Sequence, residues 1–173
     1  MCWPKIKSIE GIIKMTKLFD QSFLSALMDK ASKSPRRRAH HLLSSHSDNV
    51  QRVVCAMKKG SYFRVHKHPQ DNKWELISIL QGHFQFLSFD DSFRLDERIA
   101  LSPESCPVIQ APSKQWHTFI VLEDSVFMEV KEGPFKPEDK IDFADWSPEE
   151  GDPNVPSFLE QLKKLKHGEK LTD

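Results

Sequence analysis

The sequence predicts an all-β domain with a helix at either end, and three observations carry that expectation. From about Val50 to Val130 the chain divides into short stretches rich in Val, Ile, Leu and Phe, with turn residues between them at regular intervals. Strands alternating with helices, the mark of a parallel sheet, are absent, which leaves an antiparallel sandwich or barrel. Phe supplies 12 residues against a single Tyr, a balance that suits a filled interior better than a wet recognition surface.

Taken in order, residues 1–18 show neither periodicity nor caps and read as an N-terminal extension, with Met15 an alternative start to Met1. Residues 19–49 read as a helix and an arginine-rich turn packed on the main domain. Phe23, Leu24, Leu27, Met28 and Ala31 share one helical face, Asp20 or Ser22 caps it, and Pro35 ends it. The barrel spans 50–133, with strands expected at Val50–Lys58, Tyr62–His68, Trp74–Leu80, His83–Asp90, Arg94–Leu101, Val108–Ala111, Thr118–Glu123 and Val126–Glu132. Residues 134–173 form a proline- and acid-rich arm that wraps the barrel, followed by a short helix with Phe158, Leu159, Leu162 and Leu165 on its apolar side.

Charge and cysteine content narrow the function. Lys plus Arg and Asp plus Glu both number 25, so no general basic field draws the chain to nucleic acid or an anionic membrane. No apolar run reaches the length of a membrane span, and the N-terminus lacks the features of a signal peptide. Three scattered cysteines, Cys2, Cys55 and Cys106, argue against a disulfide framework and fit a reducing cytoplasm.

The chemistry concentrates between Gly60 and Gly82. On a strand, residues two apart face the same side, so His66 and His68 project together, with Tyr62 and Arg64 expected beside them. Two converging imidazoles make half of a divalent-metal site. Glu75 opens the next strand and offers a carboxylate, and Pro112–His117 brings a third histidine to the start of another. His40, His41, His46 and His83 have no such company.

The order His66, His68, Glu75, Gly82, then Pro112 and His117 resembles the two motifs of the cupin superfamily, with Gly60 heading the first. The resemblance implies a jelly-roll barrel, a double-stranded β-helix, holding one divalent ion (Zn, Fe, Ni or Mn) through His66, His68, Glu75 and His117. The gap from His68 to Glu75 is longer than the motif's, Cys106 and Lys114 stand where the second motif has glycines, and Val121 stands where it has Asn. A closer similarity, from about Leu18 to Leu165, is to the WbuC-type cupin-fold metalloproteins. It rests on Ser34–His40, Asp48–Arg52, Lys73–Glu75, Glu129–Pro134 and Asp142–Pro148. That family is associated by gene context with bacterial surface-polysaccharide biosynthesis.

These readings give a first functional expectation: Lewis-acid isomerisation or epimerisation of a sugar or nucleotide-sugar intermediate, with Glu75 or Tyr62 moving the proton. Arg64, Arg37 and Arg38 are the candidate contacts for an anionic substrate group. The alternatives are an Fe(II)-dependent dioxygenase and a non-catalytic small-ligand sensor or accessory protein. Family analogy adds a homodimer.

Overall fold

Two five-stranded antiparallel sheets face each other in a computed structural model that describes residues 16–136 and 141–171. The expected extension over 1–18 lies almost wholly outside the described residues. The chain runs α1 (Gln21–Lys33), β1 (Arg38–Leu42), β2 (Val50–Met57), β3 (His66–Lys67), β4 (Glu75–Gln81), β5 (Phe84–Phe89), β6 (Leu95–Leu101), β7 (Val108–Ala111), β8 (Trp116–Val121), β9 (Ser125–Glu132), β10 (Asp142–Phe143) and α2 (Val155–Lys164). One sheet has the order β1-β2-β9-β4-β7 and the other β10-β3-β8-β5-β6. The result is a single jelly-roll barrel with a helix near each end, as the sequence predicts.

Each helix forms for a local reason and covers one outer face. The Asp20 side chain caps α1 by accepting from the Phe23 amide at 3.1 Å, a bond worth about 1 kcal/mol. Leu24, Leu27 and Ala31 then bury against Val54, Ala56 and Val126. At the other end Pro156 sits in the first turn of α2, where its missing N–H costs nothing. Phe158, Leu159 and Leu162 pack on Val65, Leu87 and Ile120, and Arg98 donates to the carbonyls of Leu162 and Leu165 at 2.7 and 2.8 Å. Under α2 the central strand β8 loses the in–out alternation of a solvated sheet: every one of its residues is buried.

Between the sheets, Met57, Ile77, Phe84, Phe86, Phe119 and Phe127 fill one end of the barrel. The other end keeps its polar residues and holds the site. The turn into β5 needs Gly82, whose φ is +83° and where an added Cβ would stand 2.2 Å from the Asp124 carbonyl oxygen.

Three local expectations change. Arg38–Leu42, read as part of a turn, is a strand on the sheet edge, paired with β2 from Arg38 opposite Met57 to Leu42 opposite Val53. The arm contributes β10, whose Phe143 pairs with His66. The continuous strand expected over Tyr62–His68 reduces to β3 and an isolated bridge from Tyr62 to Ile120. The intervening backbone is held by other partners. The Phe63 carbonyl accepts from the Thr118 hydroxyl at 2.6 Å, and the Val65 carbonyl accepts from the Ala144 amide at 2.9 Å.

Candidate metal centre

Three strands bring the four candidate ligands together. β3 and β8 pair so that His66 lies opposite His117, with ring centroids 4.3 Å apart. Glu75 reaches in from the facing sheet, where β4 sets it opposite Lys131 of β9. His68 leaves β3, and its carbonyl accepts from the Lys114 amide at 3.0 Å. Lys114 takes a left-handed φ of 65°, a conformation that glycine enters freely and lysine does not. Lys114 is the position at which the cupin motif that the sequence resembles has glycine.

Glu75 is the hub. Its Oε1 lies 3.0 Å from His68 Nε2 and its Oε2 lies 3.1 Å from His117 Nε2, and the residue is 4% exposed. Lys131 Nζ stands 3.5 Å from Oε1 and 2.6 Å from Glu129 Oε1. Burial alone would push the Glu75 carboxyl up, but His117 and His68 beside it hold it well below the usual carboxylate range. Burial works downward on His117, and Glu75 overcomes it to raise that imidazole. For His66, burial dominates and His117 adds to it, pushing the imidazole down to about 3.

Backbone carbonyls orient two of the rings in the same way. His66 Nδ1 meets the Arg64 carbonyl and His117 Nδ1 the Gln115 carbonyl, each at 2.9 Å. A carbonyl only accepts, so each Nδ1 carries a proton and each Nε2 is the atom left to bind something else. His117 Nε2 is buried and lacks an aligned hydrogen-bond partner; its approach to Glu75 is close but off-line.

These features bear on whether a divalent ion suits the residues. Among the described residues no group of three or more His, Cys, Asp or Glu side chains is arranged to hold an ion as it stands, and Glu75 lies close to two of the histidines. The donor chemistry nevertheless fits. Three imidazoles and a carboxylate are ligand types that divalent ions such as zinc take, and the buried His117 Nε2 has no hydrogen-bond partner of its own. A cation there would take up the unaligned His117 Nε2 and replace its proton as the counter-charge to Glu75.

The cluster forms part of the wall of a cavity of about 370 Å³. Phe63, Phe119 and Phe143 supply apolar wall, and Arg36, Arg38 and Glu150 stand on the same cavity. The structure thus gathers His66, His68, Glu75, His117 and Arg38. It does not bring Tyr62, Arg64 or Arg37 to the cavity. Because the backbone between Tyr62 and His66 is irregular, strand parity fails there, and Phe63 faces the cavity in place of Arg64. Tyr62 donates to the Pro148 carbonyl at 2.8 Å and packs on Phe158. Arg64 lies over the Phe143 ring at 5.2 Å and 3.7 Å from Glu149. Arg37, at φ 56°, donates to the Lys59 carbonyl at 2.9 Å.

Several cavity residues carried no signal in isolation. Lys131 and Glu129 share strand parity with buried Phe127, while Met128 and Val130 lie on the opposite face of β9. That face is covered by α1, which Met128 helps to pack. Cys55 lies inward on β2 and also lines the cavity, and burial pushes its thiol up to about 12.

Comparison with known proteins agrees with this architecture. Residues 19–101, from the start of the helical region through β6, match a family model described as "Domain of unknown function (DUF6016)". No curated protein matches the chain. Among solved structures, a cupin 2 domain-containing protein from Halorhodospira halophila is similar at TM-score 0.50 and 10% identity, over 72% of this chain and 77% of that one. KdgF from Halomonas sp. gives TM-score 0.47 and 20% identity over 58% and 82%. A structure reported for the DMSP lyases RdDddP and RnDddQII gives 0.49 and 16% over 63% of this chain and 53% of that one. The chain therefore spans about half the length of that last relative. It has the cupin fold.

Proposed function

We propose that this chain is a metal-binding cupin that holds one divalent ion through His66, His68, Glu75 and His117 and takes a small polar molecule into the adjoining cavity. The observation that carries the reading is the buried, unaligned Nε2 of His117, set against Glu75 in a ring whose Nδ1 proton is already committed to Gln115. A bound divalent ion would supply Lewis acidity toward a carbonyl or hydroxyl oxygen.

The chain's own residues supply the rest. Arg38, stacked 4.1 Å from the centroid of Phe63, orients a polar ligand group. Arg36 takes the place first assigned to Arg37. Phe63, Phe119 and Phe143 exclude water along the cavity wall. Lys131, between Glu75 and Glu129, keeps Glu75 ionised and available. The similarity to the WbuC-type proteins favours a sugar or nucleotide-sugar intermediate and an isomerase or epimerase activity over oxygenation or passive binding. We assign residues 50–133 to the body of the barrel, with β1 and β10 from the flanking segments 19–49 and 134–173 completing its two sheets, and a reducing cytoplasm as its compartment.

The test is the double variant His66→Ala/His68→Ala. Purified wild-type protein should carry close to one divalent ion per chain by elemental analysis, and the variant none, with the far-UV spectrum of the β fold retained. Full metal content in the folded variant would refute the site.

A further inference from the structure

One carboxylate, that of Glu150, occupies both cavity arginines. Arg36 grips Glu150 as a two-pronged fork, Nε to Oε2 at 2.6 Å and Nη2 to Oε1 at 3.1 Å. Arg38 Nη2 donates to the same Oε1. Glu150 comes from the arm, more than a hundred residues further along the chain, and all three side chains line the cavity that contains the histidine cluster.

The Arg38 half of the fork is held by partners other than Glu150. Arg38 donates through Nη1 to the Tyr62 carbonyl and lies flat on Phe63, so its remaining edge is fixed toward the cavity. Its side chain is only 12% exposed, against 58% for Arg36. A desolvated, pinned guanidinium of this kind recognises a planar carboxylate by parallel hydrogen bonds. The charges on the wall balance as well: Arg36, Arg38 and Lys131 stand against Glu75, Glu129 and Glu150. Removing the Glu150 carboxylate from the fork leaves an excess of positive charge, and the proposed ion adds two more.

We propose that Glu150 is an internal stand-in for a ligand carboxylate: the cavity binds the carboxylate of a small ligand, within the proposed sugar class an acidic sugar, on the Arg36–Arg38 fork, and the arm must release Glu150 for it to bind. This deepens the metal-binding reading by naming the ligand class, but the fork itself does not depend on the ion. Ligand affinity is set by how often the fork is open. If Glu150 occupies it nine-tenths of the time, apparent affinity falls about tenfold.

The experiment titrates malonate into wild type, Glu150→Ala and Glu150→Gln by calorimetry, each in metal-free and zinc-loaded form. Both variants should bind malonate about tenfold more tightly than wild type, with the gain present in both forms, and adding Arg36→Met to either should remove it. Unchanged malonate affinity in both folded variants would overturn the proposal and leave Glu150 as a structural tie. A larger gain for inorganic phosphate than for malonate would overturn the carboxylate assignment. Zinc stoichiometry, measured in the same samples, separates these results from failure of the metal site: a gain in protein that binds no zinc supports the fork and refutes only the ion.

Discussion

Replacing Lys131 with Met isolates the electrostatics that hold Glu75 in place. The ammonium lies 2.6 Å from Glu129 and 3.5 Å from Glu75, whose side chains are 13% and 5% exposed, while its own is 28% exposed. Removing one member of a fully buried charge group costs about 3–5 kcal/mol. Solvent reaches Lys131, so a discounted loss of about 2–3 kcal/mol is expected, and Met keeps most of the packing of the stem. For a chain of this size that corresponds to a Tm lower by about 4–12 °C. The assay is urea unfolding of metal-free protein, repeated with saturating zinc. An ion bound beside Glu75 restores the missing positive charge, so zinc should stabilise Lys131→Met by about 1 kcal/mol more than it stabilises wild type. A loss below about 0.5 kcal/mol would show that Lys131 does not support Glu75. A smaller zinc increment in the variant than in wild type would refute the idea that lysine and ion share the carboxylate.

Two further outcomes test the turn into β5 and the tie made by Glu150. Gly82→Ala meets the Asp124 carbonyl at 2.2 Å with φ at +83°, so it should destabilise by about 2–4 kcal/mol; urea midpoints equal to wild type would show that the turn adapts. Burial works upward on the Glu150 carboxyl, but Arg36 and Arg38 lower it overall. A depressed folded-state pKa gives stability that is complete above the unfolded value of about 4.3 and is lost as pH falls through the folded one. The stability difference between wild type and Glu150→Ala should therefore be about 1 kcal/mol at pH 7, shrink as pH falls below about 4.3 and vanish once the folded-state carboxyl is protonated. A difference that grows in acid would contradict the sign.

The fold was legible because strand endings depend on turn chemistry. Gly82, Pro112 and the Glu123–Asp124 turn bracket strands that fall within a residue or two of expectation, and Val108–Ala111 coincides with β7. The four candidate ligands were named from strand parity together with the resemblance to the cupin motifs, and the structure places their side chains beside one another. What escaped was set by tertiary contact. Arg38–Leu42 is too polar to read as a strand, since it is an edge paired on one side. Phe143 gains its strand character only by meeting His66. Tyr62 and Arg64 were assigned to the cavity by an alternation that needs an unbroken ladder, whereas Thr118 and Ala144 take the carbonyls that such a ladder would have used.

The pairing of Phe143 with His66 has an engineering consequence. β3 is two residues long, with β8 on one side and β10 on the other, so β10 is a clip that shields an otherwise open edge directly at a histidine. A barrel cut back to residues 50–133 would present that edge to any complementary strand, including the arm of a second molecule. The arm supplied separately as a peptide is thus a natural lever for assembling the site on demand, and shortening the tether between barrel and arm is a route to exchanging arms between two chains.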